Sequence, residues 1–68
     1  MLTMKQWRRA RDITQEEMAK RLNVHINTYQ KWEQEPEKIS IANAIKITQI
    51  LDVPMNEISF TNEVKEER

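Results

Sequence analysis

The chain contains no glycine and no cysteine, only two prolines, and no apolar run long enough to cross a membrane. Without cysteine, neither a disulfide framework nor a thiolate zinc site can brace the fold, so the core rests on apolar packing alone. Without glycine, any left-handed backbone position must be filled by a residue carrying a side chain, and asparagine is among those that tolerate it best. The opening stretch MLTMKQWRRARD lacks the apolar segment of a secretory signal, and a cytoplasmic location is expected. Histidine is present once, as His25, and no serine lies in a glycine elbow, so nucleophilic and metal-hydrolase schemes lack their parts. An enzyme is not expected, and no cofactor, metal or small-molecule substrate is implied. Glu16 and Glu17 are no carboxylate dyad, because helical neighbours diverge by about 100°.

Sixty-eight residues make at most one small domain with a thin core, for which compact all-helical packing is the natural solution. The formal charge is zero, yet it is unevenly spread: residues 1–33 carry seven basic and four acidic side chains, and residues 34–68 the reverse. A basic first half is joined to an acidic second half.

The most informative stretch is Thr14 to Glu33, TQEEMAKRLNVHINTYQKWE, which reads as two short helices joined by a tight turn. Thr14 and Glu17 have the spacing of a capping box, with Ile13 and Met18 as its hydrophobic staple. Met18, Ala19 and Leu22 form one apolar stripe, and the small Ala19 lets a second helix cross closely. Asn23 suits a left-handed stop. The next helix turns His25 or Thr28, then Tyr29, Trp32 and Glu33 inward, leaving Ile26, Asn27, Gln30 and Lys31 outward.

Before this stretch, Thr3 and Gln6 form a second capping box and Leu2 and Trp7 a second staple, so a first helix should run from Met4 to about Arg11. Met4, Trp7 and Arg11 share its inner face. The two tryptophans, Trp7 and Trp32, are expected to pack inside rather than stack on nucleic acid. After it, QEPEKI is a loop and Ser40 an N-cap. The helix that follows should bury Ile41, Ala44, Ile45, Thr48 and Leu51, with Ile47 and Ile50 flanking. Asp52-Val53-Pro54 breaks it, and Pro54 can open a short fifth helix reaching Ile58. Residues 61–68, TNEVKEER, read as a charged, frayed tail to a domain of residues 1–60.

The order Thr-Gln-Glu, Ala19, Leu22, Val24 and Trp32-Glu33 resembles the helix-turn-helix of the phage Cro and repressor type, also called Xre-like. ISIANAIKITQILDVPMNEI from Ile39 is similar to that family's fourth and fifth helices. The resemblance covers roughly residues 2–60 and implies a compact all-α, five-helix repressor-like domain that regulates transcription by binding double-stranded DNA. It also implies an ion pair between Arg8 and Glu33, for which the other reading of Arg8 is an exposed phosphate contact. Where the family commonly has glycine this chain has Asp12, Glu35 and Asp52, which with Asn23 must make the left-handed turns.

In such a domain the third helix enters the major groove. Asn27 could pair with adenine, Lys31 could donate to guanine, Ile26 could touch a thymine methyl, and Gln30 could serve base or backbone. Backbone contacts are expected from Gln15, His25, Gln34, Lys38 and Ser40. A homodimer on a palindromic operator follows from the resemblance, with Met55, Ile58 and Phe60 as its expected interface. A reading from another class is a protein-interaction module, such as an antitoxin or the regulatory subunit of a complex.

Overall fold

The computed structural model describes residues 1–60, so the expected tail at 61–68 lies outside the described residues. Four helices make the body: α1 (Met4–Ala10), α2 (Gln15–Leu22), α3 (Ile26–Gln34) and α4 (Ile41–Leu51). Two 3-10 turns, Pro36–Lys38 and Met55–Glu57, and two very short strands, β1 (Leu2–Thr3) and β2 (Ile58–Ser59), complete it. The strands pair in parallel, Leu2 with Ile58 and Thr3 with Ser59, which ties the first described residues to the last. α2 packs on both α3 and α4, and the core gathers Met4, Met18, Ala19, Leu22, Tyr29, Ile47, Leu51, Val53 and Ile58.

Local chemistry starts each helix where the sequence places it. The Thr3 hydroxyl accepts from the Gln6 amide (3.2 Å), and the Thr3 amide donates to Gln6 Oε1 (2.9 Å), a complete capping box. At Thr14 only half of the expected box forms. The Thr14 hydroxyl takes the Glu17 amide (3.1 Å), but the Glu17 carboxylate turns instead to Arg21 one turn along, at 3.0 Å. An exposed i, i+4 ion pair competes on even terms with the reciprocal cap, because each is worth a fraction of a kcal/mol, roughly 0.3–0.5 for the pair.

The missing glycines are replaced as the resemblance implies at three of four places. Asp12, Asn23 and Asp52 are left-handed, with φ near 58°, 60° and 60°. Glu35 is not: its φ is −131° and ψ 71°. Two causes are at hand: the ring of Pro36 bars the right-handed helical region to the residue before it, so α3 cannot run on through Glu35, and glutamate lacks the short side chain whose local hydrogen bonds admit Asn and Asp to the left-handed region. The chain leaves α3 at Glu35 without a left-handed residue and enters the Pro36–Lys38 turn.

Two further expectations need correction. The expected fifth helix is a single 3-10 turn, Met55–Glu57, that gives way to β2, so the described residues hold four α-helices and a two-stranded edge rather than five helices. Strand pairing with β1 satisfies the backbone there, and the Trp7 indole N–H donates to the Glu57 carbonyl (2.9 Å). On α4 the buried residues are Ala44, Ile47, Thr48 and Leu51, while Ile41 is 77% and Ile45 44% exposed. The helix is apolar on nearly every side, so two stripes about one residue apart satisfy helical spacing equally and tertiary packing chooses between them. The buried Thr48 hydroxyl is satisfied by the Ile45 carbonyl (2.7 Å). Arg11 finishes the helix: it lies over the Trp7 ring, 5.1 Å from the centroid, and donates to the last carbonyls, Leu51 (2.7 Å) and Asp52 (3.4 Å).

Asn23 carries the turn between α2 and α3, its amide and that of Val24 closing on the carbonyls of Lys20 and Ala19. Asn23→Gly is expected to leave the unfolding midpoint unchanged or slightly raised, because glycine meets no steric penalty there. Asn23→Val should destabilise by about 1–2 kcal/mol, the cost of placing a β-branched residue in the left-handed region. Urea unfolding of the three proteins checks this, and an Asn23→Val variant as stable as the parent would contradict it.

Candidate nucleic-acid interface

The helix-turn-helix unit is α2, the turn Asn23 to His25, and α3. The orientation of α3 is set by a polar cluster beneath it, built on the Glu33 carboxylate. Arg8 Nε donates to Glu33 Oε2 at 2.7 Å and Arg8 Nη2 to Oε1 at 3.4 Å, with side-chain exposures of only 8% and 4%. Tyr29, one turn earlier on α3, donates its hydroxyl to the same Oε2, and Gln15 Nε2 at the start of α2 donates to Oε1 (2.9 Å). The remaining Arg8 nitrogen, Nη1, reaches the Ile13 carbonyl (2.8 Å). One carboxylate thus joins α1, α2 and α3. The ion pair is buried, and Arg8 is not an exposed phosphate contact.

Burial alone would raise the Glu33 pKa, but hydrogen bonds from Arg8, Tyr29 and Gln15 outweigh it and hold the carboxyl below its ordinary value. For Arg8 burial pulls downward, and Glu33 more than offsets it, leaving the guanidinium above its usual value. Burial, then the Glu33 carboxylate, pushes the Tyr29 phenol far up, so it stays a donor.

Above this cluster the expected groove face is open. Asn27, Gln30 and Lys31 are exposed. Among the described residues the Asn27 and Lys31 side chains make no hydrogen bond or ion pair. Ile26 is half-buried and packs against the core, so it offers the groove only part of its side chain. His25 is the N-cap of α3, its Nδ1 accepting from the Asn27 amide (3.1 Å), which leaves Nε2 on the exposed side. Of the two inward candidates, His25 or Thr28, neither is buried; Tyr29 is, with Trp32 half-buried beside it. Gln30 reaches across to α2, donating to Gln15 Oε1 at 3.2 Å.

The expected backbone contacts fall into two groups. Gln15 and Gln34 line one polar cleft together with Gln30, Glu33 and Lys5. Lys38 and Ser40 stand past the end of α3, where Lys38 is loosely paired with Glu35 (3.6 Å) and the Ser40 hydroxyl caps α4 through the Asn43 amide (3.2 Å). Lys5, in the basic half of the sequence, lines the polar cleft although no site was expected there. Its position three residues before Arg8 on α1, one turn along the same side, was the available signal. Of the expected dimer residues, Ile58 is excluded from any surface role, because β2 carries it into the core; Met55 is 40% exposed and Phe60 half-buried. Among the described residues no helix is long and apolar enough to span a membrane, and no cluster could hold a metal ion.

The cluster yields two expected outcomes. Arg8→Ala or Glu33→Ala alone should cost about 3–5 kcal/mol, by stranding a buried charge. The double variant should cost clearly less than the sum, and a coupling near zero would contradict the buried pair. Glu33 has a depressed folded pKa, so the stability it contributes is complete well above its unfolded value of about 4.3 and is lost as pH falls through the folded value. Acid unfolding of Glu33→Gln, followed by circular dichroism, should therefore show a flatter loss below about pH 4 than the parent.

Comparison with curated proteins and with solved structures found no match. Comparison with protein families found helix-turn-helix, matched over residues 4–58. That span runs from the first residue of α1 to the first residue of β2 and includes the whole Glu33 cluster. The chain belongs to the Cro/C1-type helix-turn-helix family of DNA-binding regulators.

Proposed function

We propose that this protein is a sequence-specific transcriptional regulator that reads the major groove of double-stranded DNA with α3. The observation that carries the reading is the two-sided character of that helix. Its inner side is locked by Tyr29 and Glu33, while Asn27 and Lys31 on its outer side are exposed and unpaired among the described residues. Exposed polar side chains on a fixed helix suit direct readout, because the backbone that presents them is already ordered and their donors and acceptors are not committed elsewhere. Asn27 offers the bidentate amide that fits adenine, and Lys31 a donor for guanine; Ile26 supplies apolar contact from the first turn. Gln15, Gln30, Gln34, His25, Lys38 and Ser40 supply backbone positioning around them.

A homodimer on a palindromic operator fits a domain this small, because one third helix reads only a few base pairs and two-fold pairing doubles the site. With Ile58 in the core, the apolar groups left for such an interface near β2 are Met55 and Phe60. The cytoplasm is the proposed location. Exposed Ile41 and Ile45 and the acidic second half support the second reading, a protein-interaction module such as an antitoxin. Gel shifts with random duplex DNA across salt concentrations separate the two, since only DNA binding weakens steeply with salt.

Base and phosphate contacts should respond differently to substitution. Asn27→Ala and Lys31→Ala are each expected to cost about 1–3 kcal/mol on the preferred site and to relax preference at one base pair per half-site. Lys38→Ala should weaken all sequences alike and lower the salt slope by about one unit for each phosphate no longer neutralised. Binding titrations against the preferred site and its single-base variants check both. Unchanged affinity and unchanged base preference in both α3 variants would replace DNA readout with the protein-interaction reading.

A further inference from the structure

We propose that His25 makes the first turn of α3 pH-responsive: the neutral imidazole closes the turn on the Asn27 amide, and the protonated one releases it. The caps of α1, α2 and α4 are the side chains of Thr3, Thr14 and Ser40, whose hydroxyls do not ionise near neutral pH. Among the four helices α3 alone begins on an ionisable side chain, with His25 Nδ1 accepting from the Asn27 amide at 3.1 Å. The Thr28 and Tyr29 amides close on the His25 carbonyl (3.0 and 3.1 Å), so the Asn27 amide is the one that the ring holds. A nitrogen that accepts carries no hydrogen, so the neutral ring has its hydrogen on Nε2. The next proton therefore goes to Nδ1 and turns it into a donor. Its N–H then meets another N–H, its charge meets the positive end of the helix, and the cap is lost. Imidazole is the side chain that ordinarily makes this change between about pH 5 and 8.

The charged ring also has a counter-charge to turn to. His25 is exposed and lines a cleft of about 490 Å³ between α2 and the start of α3. The other charged side chains of that cleft are Glu16, Glu17 and Lys20, all from α2; α1 and α4 contribute none. Glu17 is engaged by Arg21 at 3.0 Å, and Lys20 repels an imidazolium. Glu16 has no ion pair or hydrogen bond among the described residues, so it is the group that draws the protonated ring away from Asn27. The released turn carries Ile26 and Asn27, two of the residues proposed to read bases. That consequence rests on the DNA-binding reading above, whereas the cap and its release do not.

The test follows the full chain by NMR from about pH 8 down to about pH 5, the range of the imidazole change. At the upper end the His25 ring signals should show a hydrogen on Nε2 and none on Nδ1. As the ring protonates, the helical Cα shifts of Ile26 and Asn27 should shrink, and exchange protection of the Asn27 amide, corrected for the intrinsic rate, should fall on the order of fivefold, the usual worth of a side-chain cap. His25→Ser keeps a cap that does not ionise and should hold both constant; His25→Ala should show the released pattern throughout. Asn27 signals that stay put while the ring titrates, or a His25→Ser protein that responds as the parent does, would overturn the switch. With duplex DNA, the parent's preference at the base pair that Asn27→Ala relaxes should narrow on the order of fivefold over the same range, while the preference set by Lys31, one turn later, holds. A preference there that ignores pH while the turn opens would overturn the consequence for readout. Failure of the parent to bind duplex DNA at low salt would overturn the DNA-binding reading and that consequence with it, and the cap would still be decided by its own signals.

Discussion

The Glu33 carboxylate is the point on which this small domain turns. It sits on α3, the helix that carries the exposed polar face, yet its partners come from α1 (Arg8), α2 (Gln15) and its own preceding turn (Tyr29). A chain of 68 residues has a thin core, and nondirectional packing leaves the rotation of a helix about its axis loosely specified. Charge-assisted hydrogen bonds are directional, so the cluster supplies the geometry that the thin core does not. Such an arrangement is weak evidence for net stability, because burying two charges costs nearly what their attraction returns. Its consequence is orientation: with Glu33 fixed beneath the helix, Asn27 and Lys31 must face away.

The second constraint is the absence of glycine. Three left-handed residues, Asp12, Asn23 and Asp52, each follow a helix or its last turn, and each costs about 1–2 kcal/mol relative to an ordinary backbone position, less for side chains that bond locally. The fold tolerates them because the helices on either side are pinned, by caps at Thr3, Thr14 and Ser40 and by Arg11 on the end of α4. Glu35 shows the alternative, where the chain leaves α3 and enters a proline-led 3-10 turn without a left-handed residue.

Features governed by near neighbours along the chain were legible in the amino-acid sequence. The caps at Thr3, Thr14 and Ser40 and the stop at Asn23 depend on side chains within three or four residues, and each stands where the sequence places it. The Arg8 and Glu33 pair lies 25 residues apart and was visible only through family resemblance, since no local pattern links them. What was not legible depended on distant partners. The buried stripe of α4 is chosen by packing against α2, and the fate of Ile58 by a strand pairing with Leu2 across the whole domain. A two-residue parallel strand has no periodic signature of its own. The relay from Glu33 through Gln15 to Gln30 was invisible for the same reason, because it depends on side-chain geometry between two helices.

The central claim is that the exposed side of α3, held by the Glu33 cluster, is the surface that meets DNA. Amide chemical-shift mapping of the full chain, titrated with a duplex containing a bound site, tests it directly. The largest shifts should fall on Gln15, Asn27, Gln30 and Lys31, with α4 residues Ile45 and Gln49 nearly unmoved. Shifts concentrated around Ile41 and Ile45, with α3 unmoved, would contradict it.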